Sequence, residues 1–155
     1  MFGEGLIGAG LTTFFMAMVP VIELRGALPI GVAAGLPVWM ATVIAILGNM
    51  VPIPFILLLL RRIFAWLRKL SRLGPLIDKL ERRAHLKGKT VKKYRLLGLI
   101  LLVAIPLPGT GAWTGALVAD VLDIRMKTAL PTIFAGVCIA GVIVALVTTG
   151  VIHFV

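Results

Sequence analysis

One cysteine, two histidines and six acidic residues are the whole supply of thiol, imidazole and carboxylate groups in this 155-residue chain. The lone Cys138 excludes an internal disulfide and any cysteine metal cluster. His85 and His153 stand apart, with no metal-ligand spacing around either. No working pair of carboxylates, no nucleophile beside a base and no metal set can be assembled. The sequence therefore predicts no metal, no cofactor and no enzyme. Lys and Arg are also missing from Met1-Phe-Gly-Glu4, where a secretory signal peptide would carry its basic region, so no cleavage is expected.

What is abundant is apolar. The chain is 60% hydrophobic with a mean hydropathy of +1.10, against about 45–50% apolar residues in soluble domains. These values predict an all-α integral membrane protein. The formal net charge of +10 could suggest a nucleic-acid partner, but its distribution argues otherwise. Of the 16 Lys and Arg residues, 13 lie between Arg61 and Arg95, where the only acidic residues are Asp78 and Glu81. Lys and Arg gathered in one loop mark the cytoplasmic side and attract anionic lipid headgroups. Membrane lipids are the expected partners, and nucleic acid is not.

Along the chain, Leu6–Val19 is apolar and helical but short of the roughly 20 residues that cross the hydrocarbon core. Pro20–Glu23 breaks it. Leu24–Gly35 is a second short apolar stretch, and Gly35-Leu-Pro37 is a turn. Val38–Leu60 is long enough to span, with Trp39 and Trp66 suited to opposite interfaces. Residues 61–93 read as a basic cytoplasmic linker. It forms a pair of short amphipathic helices on the membrane surface, broken at Gly74-Pro75. Lys87-Gly-Lys-Thr90 is a loop that lacks the upstream glycine and strand of a phosphate-binding loop. Tyr94–Ile105, the break Pro106-Leu-Pro-Gly-Thr-Gly111, Ala112–Val121, the turn Leu122–Arg125 and the span Met126–Val155 then follow.

The order repeats: short helix, break, short helix, turn, full span. An offset of 86 residues places Pro20 on Pro106, Val32-Ala33 on Val118-Ala119, Leu36 on Leu122 and Met40 on Met126. If each short pair is a re-entrant hairpin, about 6–35 and 94–121, with spans 38–60 and 126–155, every loop obeys the positive-inside rule. The expected fold is then a single membrane domain of two inverted repeats, each a re-entrant helical hairpin followed by a transmembrane helix. The linker is cytoplasmic and both termini lie outside. Many secondary transporters are built this way, with the site at the midplane.

The stretch Met18–Ile30 organises the rest. It carries Pro20, Gly26, Pro29, Glu23 and Arg25 inside an apolar run. Proline removes a backbone donor, and charges at membrane depth are expensive. Broken backbone is tolerated there only inside protein or beside a water-filled cavity. Glu23 and Arg25 are candidate site residues for that reason, though a structural ion pair or a helix cap would use them too. Pro20, Gly26, Pro29, Pro106, Pro108, Gly109 and Gly111 shape the tips. Asn49 faces either the cavity or a neighbouring helix, and Trp113 either packs or walls the site. Asp120 and Asp123, by the cytoplasmic turn, are solvated or paired with Arg125.

At these residues the sequence resembles a known family. Glu23-Leu-Arg-Gly-Ala-Leu-Pro29 and Pro106-Leu-Pro-Gly-Thr-Gly-Ala-Trp-Thr-Gly115 look like the small multidrug export protein family of bacteria and archaea, over nearly the whole chain. That resemblance implies a distant relationship to the DedA superfamily, with its paired re-entrant hairpins. It also implies movement of undecaprenyl phosphate or another lipid as one activity to consider.

The second limb of each hairpin presents free N–H groups and a positive dipole end to the site. These belong to about Leu24–Ala27 and Gly109–Ala112, with Thr110 as the expected N-cap. Together with Arg25 they favour a phosphate or carboxylate guest. Burial disfavours the charged form of Glu23 and Arg25 favours it, a balance that suits a coupling proton. Three functions stay open: a proton-coupled transporter of a small or lipid-linked substrate, a phospholipid translocase, and a non-transporting scaffold. Gly136, Gly141 and Gly150 offer a face for a homodimer.

Overall fold

The computed structural model describes residues 2–69, 75, 79 and 88–154, and no strand occurs among them. The helices are α1 (Phe2–Met18), α2 (Glu23–Ala33), α3 (Val38–Met50), α4 (Pro52–Lys69), α5 (Gly88–Ala104), α6 (Ala112–Val121) and α7 (Met126–Phe154). The breaks at Pro20 and at Pro106–Gly111 and the turn before Val38 therefore lie where proline and glycine place them, and the turn before Met126 falls at Leu122–Arg125 as expected.

Helices α3 and α4 form one rod, Val38–Trp66, with a bend at Val51. Pro52 and Pro54 supply no N–H to the carbonyls one turn back, which accounts for the bend. At 1.5 Å per residue the rod is roughly 40 Å long. Trp39 and Trp66, both largely exposed, are carried near its two ends. Met126–Phe154 is the second helix long and apolar enough to cross, and both have a mean hydropathy of 2.5. Within an apolar 18-residue stretch of each, only 28% and 39% is buried within the chain, so neither helix is enclosed by the rest of the fold. A soluble core helix would do the reverse. The chain is a membrane protein.

Small residues let the helices approach. A Cβ on Gly48 would collide with the Phe14 carbonyl and meet the Ala17 side chain at 3.1 Å. On Gly136 it would meet the Ile100 carbonyl at 3.0 Å and the Val103 side chain at 2.7 Å. The same contact thus joins α1 to α3 and α5 to α7, and Ile100 and Val103 stand 86 residues after Phe14 and Ala17.

The offset changes at the breaks. Helices α2 and α6 end at Ala33 and Val121, and α3 and α7 begin at Val38 and Met126, in each case 88 residues apart. Both short helices close alike. Leu36 N–H donates to the Gly31 carbonyl at 3.0 Å, and Ile124 N–H to the Ala119 carbonyl at 2.9 Å. Gly35 and Asp123 take the left-handed position beside them, at φ 99° and 54°. The pairings of Val32-Ala33 with Val118-Ala119, of Leu36 with Leu122 and of Met40 with Met126 are therefore corrected by two residues, because the second break is longer than the first. Across the halves, α2 packs on α7, α6 on α4, and α3 on α7.

Further expectations change. The helix expected at the start of the linker is continuous with the span, since α4 runs from Pro52 through Arg61 to Lys69, and the end of the linker is helical too, since α5 opens at Gly88. Leu96 and Leu99 of α5 are packed into the core, so the helix has reason to start well before them. The loop at Lys87–Thr90 is helical from Gly88 onward for the same reason. The break at Gly74-Pro75 falls largely outside the described residues. Asp120 meets Arg61, a partner not expected for it: Arg61 Nε lies 3.8 Å from Asp120 Oδ1, and its Nη2 donates to the Ile124 carbonyl at 2.8 Å. Finally, Gly136 and Gly141 are spent inside the chain, against Val103 and Ile46, leaving Gly150 open.

Candidate functional site

The two breaks meet, and Glu23 and Arg25 join them. Glu23 opens α2 with φ 48°, a left-handed conformation that costs a non-glycine residue about 1–2 kcal/mol. Its carboxylate is buried, with the residue 5% exposed. It accepts from the Trp113 backbone N–H at 3.3 Å, in the first turn of α6. Its oxygens occupy the place where a Cβ on Gly111 would stand. A negative charge at a helix N-terminus is the favourable arrangement.

Arg25 serves the other broken end. Its Nη1 donates to the Leu107 carbonyl and, at 2.5 Å, to the Thr110 carbonyl. Its Nη2 donates to the Ile105 and Val103 carbonyls at 2.9 and 3.3 Å. These acceptors are the last turn of α5 and the loop after it, whose carbonyls have no partner within the helix. The planar fork of guanidinium suits several acceptors at once. Glu23 and Arg25 thus hold opposite ends of the second break rather than each other. The direct ion pair weighed from the sequence is not formed, and Arg25 is not left free to grip an anion.

A cavity of about 10 Å³ lies between the breaks. Glu23, Leu24, Arg25 and Asn49 form one side of it, and Val103, Gly111, Ala112 and Val137 most of the other. Three of these contributions are counterparts 88 residues apart: Glu23 with Gly111, Leu24 with Ala112 and Asn49 with Val137. The cavity therefore sits where the two halves face each other, polar on the first half's side and apolar on the second's. Asn49 faces the cavity, 3% exposed, and its Oδ1 has no hydrogen-bond partner.

Thr110 is not the N-cap of α6. Gly111 holds that position at φ 147°, and the Thr110 hydroxyl donates to the Ile105 and Leu107 carbonyls at 2.8 and 2.9 Å. Thr110 braces the loop from within, and its carbonyl is what reaches Arg25. The Trp113 side chain packs and is not among the residues that line the cavity. Its backbone N–H binds Glu23 while its ring packs on the core, with the indole Nε1 buried and unpartnered. Pro20, Pro106, Pro108 and Gly109 lie in the breaks, and Gly26 in the first turn of α2. Pro29 does not lie at a tip: it sits inside α2, more than a turn past the break. The carbonyls that hold Arg25 were not foreseen, because a backbone acceptor leaves no residue-type signal.

A family described as "Putative small multi-drug export protein" matches residues 23–143. The chain belongs to that family. The match opens on Glu23, just past the first break, and takes in the second break, both candidate spans' cores and every residue around the cavity. The family's description is that of an exporter, a transporter-like role, and not that of an enzyme. No curated protein and no solved structure matches the chain.

Proposed function

We propose that this small multidrug export family member is a proton-coupled carrier for an anionic group, borne by a small molecule or a lipid, and that Glu23 competes with that anion. The observation that carries the reading is the Glu23 carboxylate on the N-terminal turn of α6, 3.3 Å from Trp113 N–H. Helix N-termini bind phosphate and carboxylate, and here the chain's own carboxylate fills the place. Protonated, Glu23 loses its charge and most of its hold on the α6 dipole. A substrate anion can then take the α6 N-terminus, with a proton entering for each anion bound.

Arg25 keeps the second break in shape meanwhile, and the tips act as the gate. The contacts recurring at offsets of 86 and 88 residues support reading the halves as inverted repeats with re-entrant hairpins, the basic linker cytoplasmic and both termini outside. Helices α2 and α6 have 11 and 10 residues, roughly 15 Å each and half of a hydrocarbon core. A DedA-like lipid translocase is the same chemistry with the phosphate on a lipid.

Reconstitution in proteoliposomes tests this. A pH gradient should drive inorganic phosphate uptake or flipping of a short polyprenyl phosphate, and whichever moves separates free anion from lipid. Glu23→Gln should lower gradient-driven movement about tenfold or more and flatten its pH dependence. If Glu23→Gln responds to the gradient as the parent does, Glu23 is not the coupling group.

A further inference from the structure

We infer that the cavity between the breaks is a site for one water molecule, held between Asn49 Oδ1 and the Glu23 carboxylate, through which the coupling proton reaches Glu23. The inference rests on the carrier reading above and adds to it a ligand, a second residue and a route.

The space is about 10 Å³, enough for a single water and no larger guest. A buried water needs two or more polar partners. Asn49 Oδ1 is one, a buried acceptor with nothing donating to it. An unmet acceptor in that position is destabilising, and at the matching place in the second half stands Val137, which has no such need. Packing alone would be served by an apolar residue at both places. Glu23 supplies the second acceptor, 5% exposed and lining the same cavity.

Charge decides between water and a metal cation. Arg25 lines the cavity, and the α6 N-terminus, the positive end of its dipole, reaches it at Ala112. Glu23 is already answered by both. A further cation would add positive charge to a site that holds one negative group, whereas a neutral donor satisfies both oxygens. Arg25, on the same helix, is the one charged neighbour facing Glu23 across this cavity. From α3, α5, α6 and α7 the facing residues are Asn49, Val103, Ala112 and Val137, none of which titrates.

The proton step is then local. A proton arriving at the water makes it transiently hydronium, the water passes one proton to Glu23, and neutral water remains between a carboxyl group and Asn49. Asn49 is a positioning residue: it holds the water and exchanges no proton.

Infrared difference spectra between high and low pH, on the purified protein in lipid nanodiscs, read the water directly. An O–H stretching band that moves when the solvent is H₂¹⁸O is expected in the parent, together with the carboxyl C=O band of protonated Glu23. Both bands vanish in Glu23→Gln. In Asn49→Leu the water band is lost while the carboxyl band stays at a displaced frequency, and gradient-driven transport falls about tenfold. Asn49→Ser, which keeps a hydroxyl and adds room, retains a water band at a new frequency, and this decides the matter should Asn49→Leu not fold. A water band that survives Asn49→Leu, or the absence of any H₂¹⁸O-sensitive band, overturns the site. So does its replacement on adding millimolar NaCl. If Glu23→Gln transports normally, the carrier reading falls, while the water band still reports on the site itself.

Discussion

The Glu23 carboxylate occupies the space that a side chain on Gly111 would need, so the two residues, 88 positions apart, exclude each other's alternatives. One half supplies the charge and the other the gap. Gly111→Ala therefore meets two penalties at once. Alanine at φ 147° is strained by about 1–3 kcal/mol, and its methyl group drives the carboxylate off the α6 N-terminus. The variant should unfold at lower temperature in detergent and lose pH-gradient response together. Gly109→Ala, strained at φ 82° but with open space at its Cβ, should lose stability and keep more of that response.

Arg25 tests whether charge or fork geometry holds the second break. Four carbonyls accept from its two terminal nitrogens. Lysine keeps the charge but places one ammonium where two planar groups stood. Arg25→Lys should cost about 2–3 kcal/mol and Arg25→Ala more, since hydrogen bonds from a charged donor are worth about 1.5–3 kcal/mol each. Equal melting temperatures for the parent and Arg25→Lys in detergent would show that positive charge alone suffices.

Much of this was legible because proline and glycine are hard to misread in an apolar chain. The limits of α2, α3, α6 and α7 fall within a residue or two of where Pro20, Gly35-Leu-Pro37, Pro106–Gly111 and Leu122–Arg125 place them. Glu23, Arg25 and Asn49 stood out as polar groups in apolar runs, and all three line one cavity. What was not legible came from the backbone. Arg25 reads as an anion-binding group in a sequence, and only the loop carbonyls show that its donors are taken. Thr110 has the composition of an N-cap, but its hydroxyl is used one turn earlier. The offset of 86 was sound for α1 and α5, yet the longer second break shifts everything after it by two residues, and no residue type announces that insertion. The reach of α4 past Arg61 was hidden by its charges, which ride on a continuing helix rather than ending it.

Glycine at helix crossings gives a third expectation. Gly48 lies against the Phe14 carbonyl, so a methyl group there must push α1 away from α3. Gly150 has open space around it. Gly48→Ala should destabilise by about 1–3 kcal/mol, the cost of overpacking a tight contact. Gly150→Ala should be neutral or slightly stabilising, as helix propensity alone would have it. Comparable melting of the two variants would mean that the α1–α3 contact is slack.

The proposed topology makes the last expectation, and the burial pattern chooses the probes. Ala27 and Ala112 are fully buried, so cysteines there would report packing rather than depth. Val21 and Leu107, on the two breaks, are 90% and 55% exposed and can accept a label without disturbing the core. On a Cys138→Ser background, Gly3→Cys and Pro37→Cys should react with a membrane-impermeant maleimide from outside the cell, and Gly88→Cys only after the membrane is opened. Val21→Cys and Leu107→Cys should react slowly from either side, since both breaks then lie near mid-depth, where a charged reagent enters poorly. If Gly3→Cys and Pro37→Cys label from opposite faces, α1 and α2 together cross the bilayer. The halves would then not be inverted, and the cavity beside Glu23 would sit at the end of a span instead of between two re-entrant tips.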